Sequence, residues 1–448
     1  MNVRQDIYFA YHRARGGKLA ARYAQVREED VGGTGAERQA QRLSRLLNHA
    51  RDNVPHYRRL LATGTRSSVA DPRTRLADLP PLTKQMIRAN PAEFRSNDLP
   101  ARRWFAASSG GSTGEPVTVI QDRDFWEWWV AVQLLYSNWA GHTLGEPQLL
   151  LWGSEEDILR TRKSVTRTAA NWITRRRIIN AYQLTPRAME CLLRELNTGR
   201  YTLILAYTQA LYEVAGFIER HRLTVVPQRA IITTSETLYD EMRERIERVF
   251  ACPVLDLYGS RELGMIAGQC SHREGRHVYP WLNHVEIVDD EGRGVPPGVE
   301  GNILVTSLIN FAMPMIRYAI EDRGVLSPKG QGCPCGRPGQ VLQRVVGRSS
   351  HIFRRRDGTL VDPGYFMSVV DVLPSIRRFQ VLQRDYDDVL IRLEGDVSPE
   401  SMELEDIVRG VKAAMGAECR VGFEFPERIS PTASGKFLYT ISDLPEWS

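Results

Sequence analysis

A chain of 448 residues is too long for one ordinary hydrophobic core and predicts two or three domains. With 42% apolar and 25% charged residues it has the composition of a globular protein, not of a disordered or fibrous one. A formal net charge of +5 over this length does not mark a nucleic-acid binder, and the runs Arg175-Arg176-Arg177 and Arg354-Arg355-Arg356 read as solvated faces.

Arg4 and Asp6 break up the N-terminus, which reads as neither a signal peptide nor an anchor, and no window has the apolar length of a membrane span. Six scattered cysteines make no disulfide scaffold, so a cytoplasmic location is expected. Residues 1–75 read as helices and connecting loop. Gln39 to Asn53 puts Leu43, Leu46, Leu47 and Ala50 on one helical face, and Val54-Pro55-His56-Tyr57 stops that helix. The prolines of Leu79-Pro80-Pro81-Leu82 set an extended approach to the next helix.

From Ser108 to Gly114 (Ser108, Ser109, Gly110, Gly111, Ser112, Thr113, Gly114) every residue is a glycine or carries a hydroxyl. Glycines let successive N–H groups converge on an anion, and hydroxyls add donors suited to phosphate oxygens. Glu115 follows Gly114, so this is not the Lys-containing Walker loop; a plain Gly/Ser surface loop is the competing reading.

Val117 to Ile120 reads as a strand and Asp124 to Trp139 as an aromatic-rich helix. Its Trp126, Trp129 and Tyr136 suit either the wall of an aryl-acid pocket or a core face. Leu149 to Trp152, Thr202 to Ala206, Arg229 to Thr234 and Val254 to Leu257 read as buried strands. Between them lie helices at Pro186 to Asn197, Thr208 to His221 and about Leu238 to Phe250, the alternation of a parallel sheet with crossover helices. The stretch 278–326 is strand-rich, with His284 to Val288 and Asn302 to Thr306, and predicts a small antiparallel sheet or barrel. A small α+β unit follows, with strands near Val381, at Val389 to Leu393 and at Val421 to Phe425, and a helix near Pro399 to Met415. The expected organisation is an α/β N-terminal domain of parallel and mixed sheets over 1–347, with a strand-rich part at 278–347, and a small mobile C-terminal domain over 348–448.

Thr234-Ser235-Glu236-Thr237 follows a strand and precedes a helix, where ligands meet α/β sheets; an N-cap is the other reading. Cys333-Pro334-Cys335 in a Gly/Pro turn suits zinc, with Cys270 and His277 completing a four-ligand set and His272 as the alternative imidazole. Such a set leaves no open position and reads as structural. Cys191, Cys252 and Cys419 are expected to be core thiols.

The glycine-hydroxyl loop, together with Tyr258-Gly259-Ser260-Arg261-Glu262, Arg317-Tyr318 to Asp322, Gly347-Arg348 and Pro431 to Lys436, resembles the adenylate-forming superfamily in the same order along the chain. The loop variant is similar to that of its phenylacetate–CoA ligase branch and the CapK-type proteins, and this branch often carries cysteines like those described above. The resemblance implies ATP-dependent activation of an aryl or small organic acid to an acyl-AMP, with release of pyrophosphate. Transfer to CoA, a carrier-protein thiol or an amine would follow. It implies that the loop binds phosphate, that Ser235, Glu236 and Tyr258 lie at the adenine, that Glu262 holds magnesium and that Asp322 takes the ribose hydroxyls. Arg348 would assist at the ribose or phosphate, Lys436 would act in adenylation, and Tyr207 and Thr208 would border the acyl pocket. This sequence departs from the family at Arg261, where Thr or Ser is usual, at Glu321, where Gly is usual, and at Ser349-Ser350-His351, where aspartates follow the arginine. A catalytically altered nucleotide-binding scaffold and an amide ligase are the alternatives. The expected partners are ATP, magnesium, structural zinc and a carboxylic acid, with no nucleic acid and a monomer or homodimer as the assembly.

Overall fold

The computed structural model of the chain describes residues 2–32, 35–62, 71–108, 117–152, 165–181, 184–328, 333–337, 339–348, 353–361, 363–370, 375–397, 402–430 and 437–444. Its contacts divide the chain into two units, one of Met1–Glu236, Ile246–Ile320 and Gly324–Arg344, the other of Thr237–Arg245, Glu321–Arg323 and Val345–Ser448.

The first unit opens with helices α1 (Val3–Ala14), α2 (Leu19–Gly32), α3 (Gly35–Asn53), α4 (Pro55–Ala62), α5 (Pro72–Ala77) and α6 (Lys84–Ala89). In α3 the expected apolar face is buried: Leu43, Leu46, Leu47 and Ala50 are at most 1% exposed. They pack with Tyr57, Leu76, Leu79, Leu308 and Ile316. Each such leucine contributes about 2 kcal/mol by leaving water. Pro55 then occupies the first turn of α4, where its missing N–H removes no helical bond. Asp71 and Thr83 cap α5 and α6, accepting from Arg73 N and Met86 N.

Strands β1 (Trp104–Ser108) and β2 (Thr118–Asp122) pair as an antiparallel ribbon. Asp122 ends it and caps α7 (Arg123–Trp139) by accepting from Phe125 N. Arg102, before the ribbon, bonds both Asp98 at 2.6 Å and Asp122 at 2.9 Å. Then come β3 (Gln148–Trp152), α8 (Val165–Ile173), β4 (Arg176–Asn180), α9 (Pro186–Leu196), β5 (Leu203–Tyr207), α10 (Thr208–Arg220), β6 (Ile231–Thr234), α11 (Asp240–Phe250) and β7 (Val254–Ser260). Strands β3 to β7 pair in parallel, as the alternating pattern predicts.

After β7 come β8 (Gly264–Gly268), β9 (Arg276–Val278), β10 (Asn283–Val288), β11 (Glu300–Ser307), β12 (Tyr318–Leu326) and β13 (Val341–Arg348). The α/β class holds, with one refinement. The antiparallel strands are hydrogen-bonded into the parallel sheet through β8 and β7, giving a single eleven-stranded order β10-β11-β12-β13-β9-β8-β7-β6-β5-β3-β4. The switch occurs at β7–β8, where a bulge falls between Tyr258 and Gly259. A Cβ on Gly259 would collide with the Gly264 carbonyl, so the bend needs glycine.

The second unit contains the hairpin β14 (Phe353–Arg354) and β15 (Leu360–Val361), α12 (Pro363–Val370), β16 (Ile376–Asp385), β17 (Asp388–Gly395), α13 (Met402–Met415), β18 (Arg420–Glu424) and β19 (Thr440–Ser442). Its sheet has the order β18-β17-β16-β19. Phe353, Phe366 and Phe379 are buried in it, the first two with rings 4.7 Å apart.

Cys191 corrects an expectation. It is exposed on α9, with Arg194 Nη2 3.0 Å from its sulfur, because it falls outside the buried face of Met189, Leu192, Leu193 and Leu196. Cys252 and Cys419 are buried. No helix among the described residues is long and apolar enough to cross a membrane.

Candidate functional site: a carboxylate at the β7–β8 turn and a cysteine–histidine cluster

Two sequence-distant motifs meet at the turn between β7 and β8. Gln121, on β2, donates from its Nε2 to the carbonyls of Arg261 and Glu262, both at 3.0 Å. The ribbon that leads into and out of the glycine-hydroxyl loop is thereby tied to the backbone of the candidate metal-binding carboxylate. Ser108 faces Thr118 across the ribbon, with their hydroxyls 3.2 Å apart. Asn310 Nδ2 donates to Ile120 O at 2.9 Å and fixes the ribbon from a second side. Ser109, Gly110, Gly111, Ser112, Thr113 and Gly114 lie outside the described residues, as does Lys436.

Glu262 is 5% exposed, and the Tyr318 hydroxyl donates to its Oε1 at 3.2 Å. Leu263 N donates to Ser260 Oγ at 3.2 Å and tightens the turn. Tyr258 is half-buried on β7 and Arg261 is exposed. A buried carboxylate is costly unless a donor or a cation satisfies it. One side-chain oxygen with a neutral donor and a turn open at Arg261 fit a hard cation that keeps most of its other ligands from water and phosphate.

At the carboxyl ends of β5 and β6, Thr208 Oγ1 donates to Thr234 O at 3.3 Å and Glu236 O at 3.1 Å, and Thr234 Oγ1 donates to Leu257 O at 2.9 Å. Ser235 has φ 84°, a left-handed conformation that a serine adopts only when its surroundings impose it. Tyr207 ends β5 and Thr208 starts α10, so these residues form a direct strand-to-helix junction with both side chains buried. Trp152 packs on Tyr207 with ring centroids 4.6 Å apart, an aromatic contact that no motif announced. Tyr136 is 1% exposed, its hydroxyl donating to Asp256 O at 3.0 Å. Trp126 lies against the same core cluster, with its ring 5.1 Å from that of His12.

Asp322 is half-buried on β12 and follows Glu321, whose φ is 71°. A left-handed position accounts physically for the glycine usual there. Arg348 is the last residue of β13. Arg317 is 3% exposed at φ 51°, and its guanidinium bonds Glu286 at 3.2 Å and the carbonyls of Leu79 and Gly292. Its contacts are those of a structural clasp.

Beyond the far end of β8, Cys270, His277, Cys333 and Cys335 bring their ligand atoms within 4.8 Å of one another. Pairing of Val341 on β13 with His277 on β9 brings the Cys333-Pro334-Cys335 segment to the imidazole. Cys270 and Cys333 have sulfurs 3.5 Å apart, and Cys335 Sγ is 3.3 Å from His277 Nε2. A tetrahedral zinc with bonds of about 2.3 Å to sulfur and 2.0 Å to nitrogen separates such atoms by roughly 3.5–3.8 Å, so the donor set and its spacing fit zinc. His272 is exposed and outside the cluster. Burial and the Arg337 guanidinium hold His277 down to about 4. Arg337 stacks 4.1 Å over Trp139, whose Nε1 donates to Asp30 at 3.0 Å.

Residues 130–313 match the AMP-binding enzyme family and residues 353–443 match the CapK C-terminal domain. Protein CapK of Staphylococcus aureus is 23% identical over 420 residues, covering 91% of this chain and 89% of that protein. The phenylacetate-coenzyme A ligase of Thermus thermophilus is 24% identical, covering 82% and 80%. A crystal structure of 2-hydroxyisobutyryl-CoA ligase in the postadenylation state has a TM-score of 0.73 at 19% identity, covering 93% of this chain and 91% of that one, a likeness of fold. The two family domains in this order, the relatives matched along most of their length and the shared fold place the chain in the adenylate-forming superfamily, in the branch of CapK and the phenylacetate–CoA ligases, as an acyl-adenylate-forming ligase.

Proposed function

We propose that the protein condenses a carboxylic acid with ATP and passes the acyl group to CoA or to another thiol or amine. A carboxylate oxygen attacks the α-phosphorus, the bond to the bridging oxygen breaks, and pyrophosphate leaves with the electron pair. The glycine-hydroxyl loop from Ser108 to Gly114 takes the phosphates. Ser235, Glu236 and Tyr258 border the adenine, Asp322 accepts from both ribose hydroxyls, and Arg348 assists there. Lys436 offers its ammonium to the carboxylate and the phosphate oxygens, stabilising charge where it develops. Glu262 would hold magnesium, which supplies neutralisation of the triphosphate. Cys270, His277, Cys333 and Cys335 would hold zinc with no open position, a structural role. The relatives named for phenylacetate support an aryl acid as the substrate class.

The single observation carrying this reading is the Gln121 tie between the ribbon of the phosphate loop and the backbone of Glu262. ATP–pyrophosphate exchange across a panel of aryl and short aliphatic acids tests it. Exchange that depends on the acid and disappears in Lys436→Ala and Glu262→Gln is expected. ATP binding without exchange for any acid would replace this reading with a nucleotide-binding scaffold.

A further inference from the structure

Helix α1 carries two apolar faces, and one of them lies in solvent. Tyr8 and Phe9 are buried, and Phe9 meets Tyr23 of α2 with ring centroids 5.6 Å apart. At about 3.6 residues per turn, Val3, Ile7, Ala10, Tyr11 and Ala14 share the opposite side. All of them are exposed, Val3 by 57%, Ile7 by 47% and Tyr11 by 38%. Arg4 borders this stripe. Its guanidinium sits 4.9 Å over the ring of Trp172 on α8, and its Nη1 donates to Trp172 O at 2.8 Å. Trp172, 71% exposed, thus extends the stripe past Arg4. The support is fixed: Asn2 caps α1 by accepting from Gln5 N and donates to Leu144 O at 2.6 Å, and the His12 ring lies 5.1 Å from that of Trp126.

The border of the stripe is basic. Arg15 Nη1 donates to the Tyr11 hydroxyl at 3.0 Å, with the guanidinium 5.5 Å from the ring centroid. Arg13 lies on the other border, Lys18 follows α1 and Arg175 follows α8, all exposed. Among the described residues no carboxylate pairs with Arg13, Arg15, Lys18 or Arg175, and the one acid of α1 is Asp6. Such a stripe fits an apolar surface edged with negative charge. A second copy of the chain does not supply one, because an isologous antiparallel contact would set Arg4 and Arg15 against the same two residues of the copy. An apolar helical stripe with tryptophan and tyrosine at its ends and arginine along its borders has the composition of helices that lie in the headgroup layer of a bilayer. Arg4 and Asp6, which interrupt every apolar run in the sequence, fall outside the stripe.

We propose that α1 and Trp172 form a peripheral docking face for an anionic lipid surface. Val3, Ile7 and Trp172 enter the boundary between headgroups and acyl chains, Tyr11 stays at headgroup level, and Arg4, Arg13, Arg15 and Lys18 meet the lipid phosphates. The helix lies in the plane of the interface and does not cross it. None of these residues belongs to the proposed nucleotide or acid site, so the face stands or falls separately from the proposed reaction.

The test is flotation of the full chain with vesicles of phosphatidylcholine alone and of phosphatidylcholine with about one third phosphatidylglycerol. Binding to the anionic vesicles is expected, at least about tenfold weaker on the neutral ones and weakened again in about 0.5 M salt. Ile7→Ser combined with Trp172→Ser leaves the charge unchanged and should weaken binding at least about tenfold, because both side chains lose their apolar contact. Its Tm should stay within a few degrees of wild type, since both residues are exposed. If that variant does not fold, Arg13→Gln combined with Arg15→Gln replaces it: binding weaker by about tenfold supports the face, and equal binding overturns it. The proposal is also overturned by a wild type that floats with neither vesicle, by equal binding to both, or by unchanged binding of the Ile7→Ser, Trp172→Ser protein. A wild-type dimer in sedimentation that this variant converts to monomer would assign the stripe to a second copy and overturn the lipid reading.

Discussion

At the start of β8, Glu262 sits in a turn with one neutral donor, next to an exposed arginine. Beyond its end, Cys270 joins two further thiols and an imidazole within 4.8 Å. One end leaves a buried carboxylate with a single neutral donor, and the other gathers four metal-ligating side chains. On the proposed function the same short strand borders the reaction at one end and a structural site at the other, so damage at the two ends should look different.

The largest expected effect is at the cysteine–histidine end. Removing the metal with a strong chelator, or replacing Cys333 and Cys335 by serine, should lower Tm by about 10 °C or more, since structural zinc contributes many kcal/mol to folding. Metal analysis of the wild type should give one zinc per chain, and exchange measured on the folded fraction in the cold should stay within about twofold of wild type. Tm unchanged after chelation would remove the contrast between the two ends.

The Glu262 end should behave in reverse. Glu262→Gln should reduce ATP–pyrophosphate exchange by about 10²–10³, with Tm shifted by only a few degrees. Tyr318→Phe keeps the ring and deletes the donor to Glu262. Loss of one such bond, about 1 kcal/mol, should appear as roughly a fivefold fall in kcat/KM and a raised magnesium requirement.

Smaller again is the strain at Ser235. Glycine tolerates φ 84° and alanine does not, so Ser235→Gly should be more stable than Ser235→Ala by about 1 kcal/mol in urea unfolding. Equal stability would mean that no strain is stored there.

The smallest effect concerns the mounting of the β1–β2 ribbon. Arg102 and the Ser96 hydroxyl hold Asp98 down to about 2. A carboxyl depressed on folding stabilises above its unfolded pKa, near 4, and that stability is lost as pH falls toward 2. Asp98→Asn should therefore flatten the decline of Tm between about pH 4 and 2, modestly, because the pair is partly exposed and screened.

Much of this was legible in the sequence, for reasons that also mark its limits. The α3 face and the β3–α–β5 alternation were readable because periodicity reports burial directly. β1 was not, because Trp104, Phe105 and Ala106 are exposed and lack an inward face. Joining of the antiparallel strands to the parallel sheet depends on the β7–β8 bulge, a backbone event marked only by Gly259 and Gly264. The cysteine–histidine set was legible by residue type, while the choice of His277 over His272 came from β9 pairing with β13. Tying of Glu262 to the ribbon runs through Gln121, a residue outside every motif. Cys191 was misplaced because one residue on an amphipathic helix decides between core and solvent.

Formation of an acyl-adenylate at the Glu262 end is the step that the proposed function requires. Incubating the protein with ATP, magnesium and pooled carboxylic acids, then reading bound small molecules by mass spectrometry, measures this directly. An acyl-AMP present with wild type and absent with Glu262→Gln and Lys436→Ala is predicted. Bound ATP with no adenylate from any acid, or an adenylate formed equally by Glu262→Gln, would contradict it.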